Sequence, residues 1–333
     1  DNTRIFLVVT MNPDGFAARK RGNANGVDLN RNFPDVVKDA DVRCDRPGEK
    51  GQRQIETCHV VKWIQQRQFV LGGYFHGGAL VVSYGLDGRK DGRGGSGVVV
   101  DSPEKRLLEA ASLTYAQTNV AIRDGLESPM YGAKDGIING AAWYSIFGGA
   151  QDYGYFFNNN NIDVTFEVSG EYERDKWPPA KDLPQYWEDN RDAMLLYMQY
   201  IHRGIKGIVT APTSCSMPTN DVASLIGVKV VADNENPGVD DPSRNASVVT
   251  LEPHGDFFRL LMPGRYTVTF SKSGYRTHTL TNVVVNDVSA TVVHVKLECD
   301  DDPATAAAAA AAVPLTIALA PLLLLAQLVA AVW

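Results

Sequence analysis

Hydrophobic periodicity divides the chain at Gly204. Before it, apolar runs of strand length alternate with stretches of helical spacing. Ile5–Thr10 and Phe69–Tyr74 read as strands, and Pro103–Gln117 reads as a helix with Leu107, Leu108, Ala111 and Tyr115 on one face. A second helix is predicted over Pro184–Arg203, with Trp187, Met194, Leu195, Met198 and Ile201 as its apolar face and Gly204 as its stop. Such alternation predicts an α/β fold, a mixed β-sheet covered by helices. After Gly204 the helical period disappears. Tyr266, Val268 and Phe270 alternate with polar neighbours, and Thr291–Leu297 alternates again. Short alternating runs between turn residues predict a small all-β sandwich. Three regions follow: residues 1–203, residues 204–299, and a C-terminal stretch, 300–333.

That last stretch carries no charge after Asp302, and an alanine run from Ala306 to Ala312 leads into apolar sequence. It is long enough to span a bilayer. Two readings stay open, a retained membrane helix and a removable signal for a glycosylphosphatidylinositol (GPI) anchor. Either places the folded part outside the cell. At the other end the chain opens almost inside a strand-like run, and an N-terminal part is expected to be missing.

Composition narrows the function classes. The 333 residues are 44% hydrophobic and 21% charged, enough for a large core. With 32 Lys and Arg against 39 Asp and Glu the net charge is -7, which argues against nucleic acid as a partner. Cys44, Cys58, Cys215 and Cys299 form no C-x-x-C pair. The expected pairing is Cys44 with Cys58 and Cys215 with Cys299; free buried thiols are the alternative. Asn245-Ala-Ser247 is a candidate N-glycosylation site in a secreted chain.

Polar residues concentrate in a few segments. Met11-Asn-Pro-Asp-Gly-Phe16 has turn chemistry. Arg21 and Arg31 offer planar forks suited to a carboxylate, with Asn30 beside Arg31. His76 ends an apolar run just before two glycines. Glu167 interrupts Val164-Thr-Phe-Glu-Val168, where an unpaired buried carboxylate is costly; the alternative is an edge strand facing solvent. Gly92-Arg-Gly-Gly-Ser-Gly97 has dinucleotide-motif spacing but follows a charged loop rather than a strand, so it reads as a flexible loop.

Read together, these segments resemble the metallocarboxypeptidases of the N/E subfamily, the group of carboxypeptidases D, E, M, N and Z. The matching stretches are 11–16, Asp28-Leu-Asn-Arg-Asn-Phe-Pro-Asp35, Phe75-His-Gly-Gly78, 135–144, Gly148-Gly-Ala-Gln-Asp152, 202–207 and 255–264. The resemblance implies a zinc carboxypeptidase domain followed by a transthyretin-like sandwich, Zn2+ as cofactor, and removal of C-terminal Lys or Arg from peptides and proteins. By position, His76 matches a zinc ligand and Glu167 the general base for zinc-bound water. Arg21 matches the group that stabilises the oxyanion. Asn30 and Arg31 match the pair that holds the substrate carboxylate, and Tyr144 the residue that closes over it. Asp87 and Gln151 match the pocket for a basic side chain. The family's other two ligands lie in a His-x-x-Glu motif, and none precedes His76 here. A catalytically inactive, peptide-binding relative is therefore the alternative. Asn158–Asn161 also stands where the family has a cysteine-containing stretch.

Overall fold

The computed structural model describes residues 3–37, 44, 47, 52–67, 69–124, 132–170, 176–215, 222–235, 246–300 and 325–327. The chain separates into two compact units, residues 1–201 with 325–333, and residues 202–324.

In the first unit the elements in chain order are β1 (Arg4–Phe6), α1 (Pro13–Ala18), α2 (Ile55–Arg67), β2 (Leu71–His76) and β3 (Ala79–Tyr84). Then come α3 (Lys105–Thr118), α4 (Val120–Asp124), β4 (Ile137–Asn139), α5 (Gly140–Trp143), α6 (Ala150–Phe157), β5 (Ile162–Ser169) and α7 (Leu183–Met198). The central sheet has the order β2-β5-β3-β4. β2 runs parallel to β5, β3 antiparallel to β5, and β4 parallel to β3, so the sheet is mixed. The first predicted strand shortens to β1, which pairs in parallel with Leu325–Gln327.

α3 buries Leu107, Leu108, Ala111 and Tyr115, as its spacing predicts. The Tyr115 ring stacks on Phe166 of β5 at 3.8 Å between centroids. α7 keeps only part of its predicted face, with Met194 and Met198 half-buried and Ile201, just beyond its end, buried. It buries Asn190, Ala193 and Tyr197, while Trp187 and Leu195 are about half exposed. Hydrogen bonds make this burial possible. Asn190 accepts from Tyr115 and Asn119, and the Tyr197 hydroxyl donates to the Gly72 carbonyl at 2.6 Å. Polar groups satisfied in this way can be buried at little cost.

The second unit contains β6 (Ile205–Pro212), β7 (Val222–Ser224), β8 (Lys229–Asn234), β9 (Ser247–Val249), β10 (Asp256–Arg259), β11 (Gly264–Ser271), β12 (His278–Val285) and β13 (Thr291–Lys296). Two four-stranded sheets form, β10-β6-β13 with β7 on β6, and β12-β11-β8-β9. Their shared core includes Val209, Val230, Phe257, Val268, Phe270 and Val293. The pairings are antiparallel except β13 with β6, which is parallel. Both expected disulfides are present, Cys44–Cys58 and Cys215–Cys299.

Asn245 and most of the 300–333 stretch lie outside the described residues. Among the described residues no helix is long and apolar enough to cross a membrane.

Candidate active site

Strand register places the first two polar groups. In the parallel ladder of β2 and β5, His76 pairs with Glu167, so both side chains leave the sheet side by side. His76 Nδ1 lies 3.1 Å from Glu167 Oε1, and both residues are buried. β5 lies between β2 and β3, so Glu167 is not on an edge facing solvent. The asparagine run just before β5 forms a turn in which Asn159 and Asn160 adopt positive φ, upstream of the His76–Glu167 register.

Loops deliver the guanidinium groups. The 11–16 segment begins a helix rather than forming an isolated turn. Asn12 caps α1 by accepting the Gly15 N–H, and its amide donates to the Arg21 carbonyl. Asp28 then does two things. One oxygen accepts the Asn30 N–H and caps a 3₁₀ turn over Leu29–Arg31; the other accepts Arg21 Nε at 2.7 Å. Leu29 and Phe33, both fully buried, hold that turn against the core. Asn30 Oδ1 accepts the Ala150 N–H at the start of α6. Arg21 reaches back to the strands, with NH1 3.4 Å from His76 Nε2.

The remaining group is Asp87, fully inside the protein. Gln151 Nε2 donates to its Oδ1 at 2.9 Å, and Thr165 Oγ1 donates to Gln151 Oε1, which fixes the amide's orientation. Burial pushes the Asp87 carboxyl well above the usual carboxylate range, and the neighbouring Asp152 charge pushes it further. Arg31 and the Gln151 hydrogen bond pull it back. Tyr144, half exposed, has its phenol raised by burial, with Arg31 opposing.

Arg21, Asn30, Arg31, His76, Asp87, Tyr144 and Glu167 therefore line one narrow cleft, and Gln151 stands behind Asp87. A larger concavity of about 750 Å³ borders His76 on the other side. Its walls are almost entirely apolar, including Trp187, Met194 and Leu195, whereas the polar groups converge on the smaller cleft. The supporting acids Asp28, Asp35 and Asp152 were not singled out from the sequence. All three lie inside the matched motif stretches, Asp152 directly beside Gln151. The glycine loop at 92–97 is irregular and straps the Tyr144 segment. Gly97 N–H donates to the Ala142 carbonyl and Ser145 N–H to the Gly95 carbonyl.

Two families of sequence match this chain. The zinc carboxypeptidase family matches residues 1–193, and the carboxypeptidase regulatory-like domain matches residues 204–298. The chain is 34% identical over 322 residues to the carboxypeptidase N catalytic chain of Mus musculus, covering 89% of this chain and 65% of that one. It is 31% identical over 319 residues to carboxypeptidase D of Homo sapiens, covering 89% of this chain and 21% of that one. Carboxypeptidase D of Drosophila melanogaster is 35% identical over 302 residues, covering 86% of this chain and 19% of the relative. The chain belongs to the zinc carboxypeptidase family, and it spans about two thirds or less of the length of these relatives.

Zinc is the family's metal. A catalytic zinc takes three protein ligands. The cleft offers one imidazole, His76, and no group of three His, Cys, Asp or Glu side chains suited to a metal occurs among the described residues. These residues do not complete a zinc site by themselves.

Proposed function

We propose that this chain recognises the free C-terminal end of peptides and proteins that finish in Lys or Arg, and takes part in the hydrolytic removal of that residue. The observation that carries the reading is Asp87, a buried carboxylate in the same cleft as Arg31. Arg31, with Asn30 and Tyr144, is suited to a terminal carboxylate, and Asp87 to a cationic side chain. Arg21, close to His76, is suited to charge that grows on the scissile carbonyl oxygen. Glu167 is the proton acceptor for the attacking water and returns that proton to the leaving amine. Two disulfides support an oxidising, extracellular setting, and the uncharged C-terminal sequence supports membrane attachment.

A second reading, peptide binding without hydrolysis, is favoured by the single imidazole at the cleft. Calorimetric titration at pH 8 with short peptides ending in Arg, Lys, Leu or Phe tests the shared part. We expect the basic ends to bind about 100-fold more tightly, because two charge-assisted hydrogen bonds to Asp87 contribute about 3 kcal/mol or more. Asp87→Ala should erase that preference. Tighter binding of Leu or Phe ends by the unaltered chain would overturn the assignment. Release of free arginine on prolonged incubation separates the hydrolytic reading from the binding one.

A further inference from the structure

Behind Asp87 lies a second carboxylate that does not line the cleft. Asp152, near the start of α6, is buried. Its Oδ1 and Oδ2 accept the Asp87 N–H at 3.0 and 3.1 Å, and Oδ2 also accepts the Gly88 N–H at 2.9 Å. One acid thus holds the backbone of the other. We propose that Asp152 is a positioning residue for the side-chain pocket, and that the Asp87–Asp152 pair holds one proton in the empty pocket and releases it when a cationic side chain enters. The inference rests on Asp87 being the pocket acid.

The argument is electrostatic. Two buried carboxylates that feel each other's charge cannot both ionise cheaply. Asp152 is the one that backbone N–H groups solvate, so it keeps its charge and Asp87 keeps the proton. Burial raises both carboxyls, and the Asp152 charge adds to the rise at Asp87. The surrounding charges do not reverse this order. Asp35 raises Asp152, and its own carboxylate accepts the Gly148 and Val37 N–H groups. Arg31 favours an ionised Asp87, but burial and the Asp152 charge outweigh that pull in the empty pocket. Arg21, His76, Glu167 and Tyr144 line the same cleft, and none is a cause of the Asp87 shift. Only a cation brought by the substrate expels the proton.

The consequence is a specificity that depends on pH. A Lys or Arg end must compete with a proton for Asp87, so its affinity falls by up to about tenfold for each pH unit below the Asp87 value. A Leu end meets a neutral acid and shows no such slope.

The test uses the full chain and two acetylated dipeptides, one ending in Arg and one in Leu. Titration calorimetry at pH 7 in two buffers of different ionisation enthalpy counts the protons. We expect the Arg peptide to release more protons than the Leu peptide, by up to about one. Asp152→Asn keeps a carbonyl acceptor for the two N–H groups and removes the charge. In that variant the proton release on binding the Arg peptide at pH 7 should fall clearly below that of the unaltered chain. Asp152→Ala removes the acceptor too, and its Arg-over-Leu preference should drop about tenfold or more. Equal proton counts for the two peptides, or an unchanged count in Asp152→Asn, would overturn the proposal while an Arg preference left the pocket assignment standing. If neither peptide binds, the pocket assignment falls and the proposal with it.

Discussion

Asp163 offers a direct measure of how strongly this unit opposes buried charge. It lies on β5, four residues before Glu167, and is buried beneath the cleft. Asn161 Nδ2 donates to its Oδ1 at 2.7 Å and the Tyr74 hydroxyl to its Oδ2 at 3.2 Å. These donors favour the charged form, but burial outweighs them and raises the carboxyl to about 7. The unfolded value is about 3.9, so the folded chain binds the extra proton between those limits. The proton-linked stability is therefore fully present below about pH 4 and is lost as pH rises through about 7. Roughly three units at 1.36 kcal/mol each give a loss of about 4 kcal/mol by pH 8. Asp163→Asn removes it. The new carboxamide can still accept from Asn161 and donate to Tyr74, whose hydroxyl has the Ala150 carbonyl 3.4 Å away as an acceptor. Urea unfolding followed by tryptophan fluorescence is the assay, since Trp63, Trp143, Trp177 and Trp187 all lie in the first unit. We expect the variant to match the unaltered chain near pH 4.5 and to exceed it by up to about 4 kcal/mol at pH 8. Asp87 and Asp152 also shift upward, but they are common to both proteins and cancel in the difference. A stability difference that stays constant from pH 4.5 to pH 8 would refute the reasoning.

Gly140→Ala should injure the side-chain pocket, because a Cβ at that position would sit 1.7 Å from Asp87 Oδ1 and 2.8 Å from its Cγ. We expect Arg-ended peptides to lose about tenfold or more in affinity and the first unit about 1–3 kcal/mol in stability, read by the same titration and urea curves. Replacing Cys215 and Cys299 together by Ser opens a loop of 84 residues, which chain entropy values at about 4.5 kcal/mol. Faster hydrogen exchange of amides in β6 and β11, with the first unit's urea midpoint unchanged, is the expected signature; unchanged exchange would refute it.

What the sequence revealed and what it concealed follow one physical division. Leu107, Leu108, Ala111 and Tyr115 were legible because hydrophobic burial alone decides their direction, and the same holds for Tyr266, Val268 and Phe270. The polar part of the buried face of α7 was not, because Asn190 and Tyr197 are buried through hydrogen bonds from α3 and to β2 that no local pattern encodes. The turn chemistry at Asn12-Pro13 was recognised, yet its use as a helix cap depends on Gly15 and on Arg21, nine residues downstream of Asn12. The acids Asp152 and Asp163 look like ordinary surface residues in sequence. Their burial is set by donors that arrive from β2, the asparagine turn before β5 and the 87–88 turn.

The same division separates the cleft's two kinds of support. His76, Thr165 and Glu167 are fixed by the β2–β5 ladder, whose register cannot slip by one residue without parting His76 from Thr165 and Glu167. Arg21, Asn30 and Arg31 are fixed instead by Asp28 and by the Ala150 N–H, single hydrogen bonds between loops. Each such bond contributes about 1 kcal/mol, or up to about 3 where a charge takes part, and the buried Leu29 and Phe33 add an apolar anchor to the same turn. The groups suited to proton transfer are therefore set by strand register, and those suited to a peptide end by loop hydrogen bonds together with a buried apolar anchor.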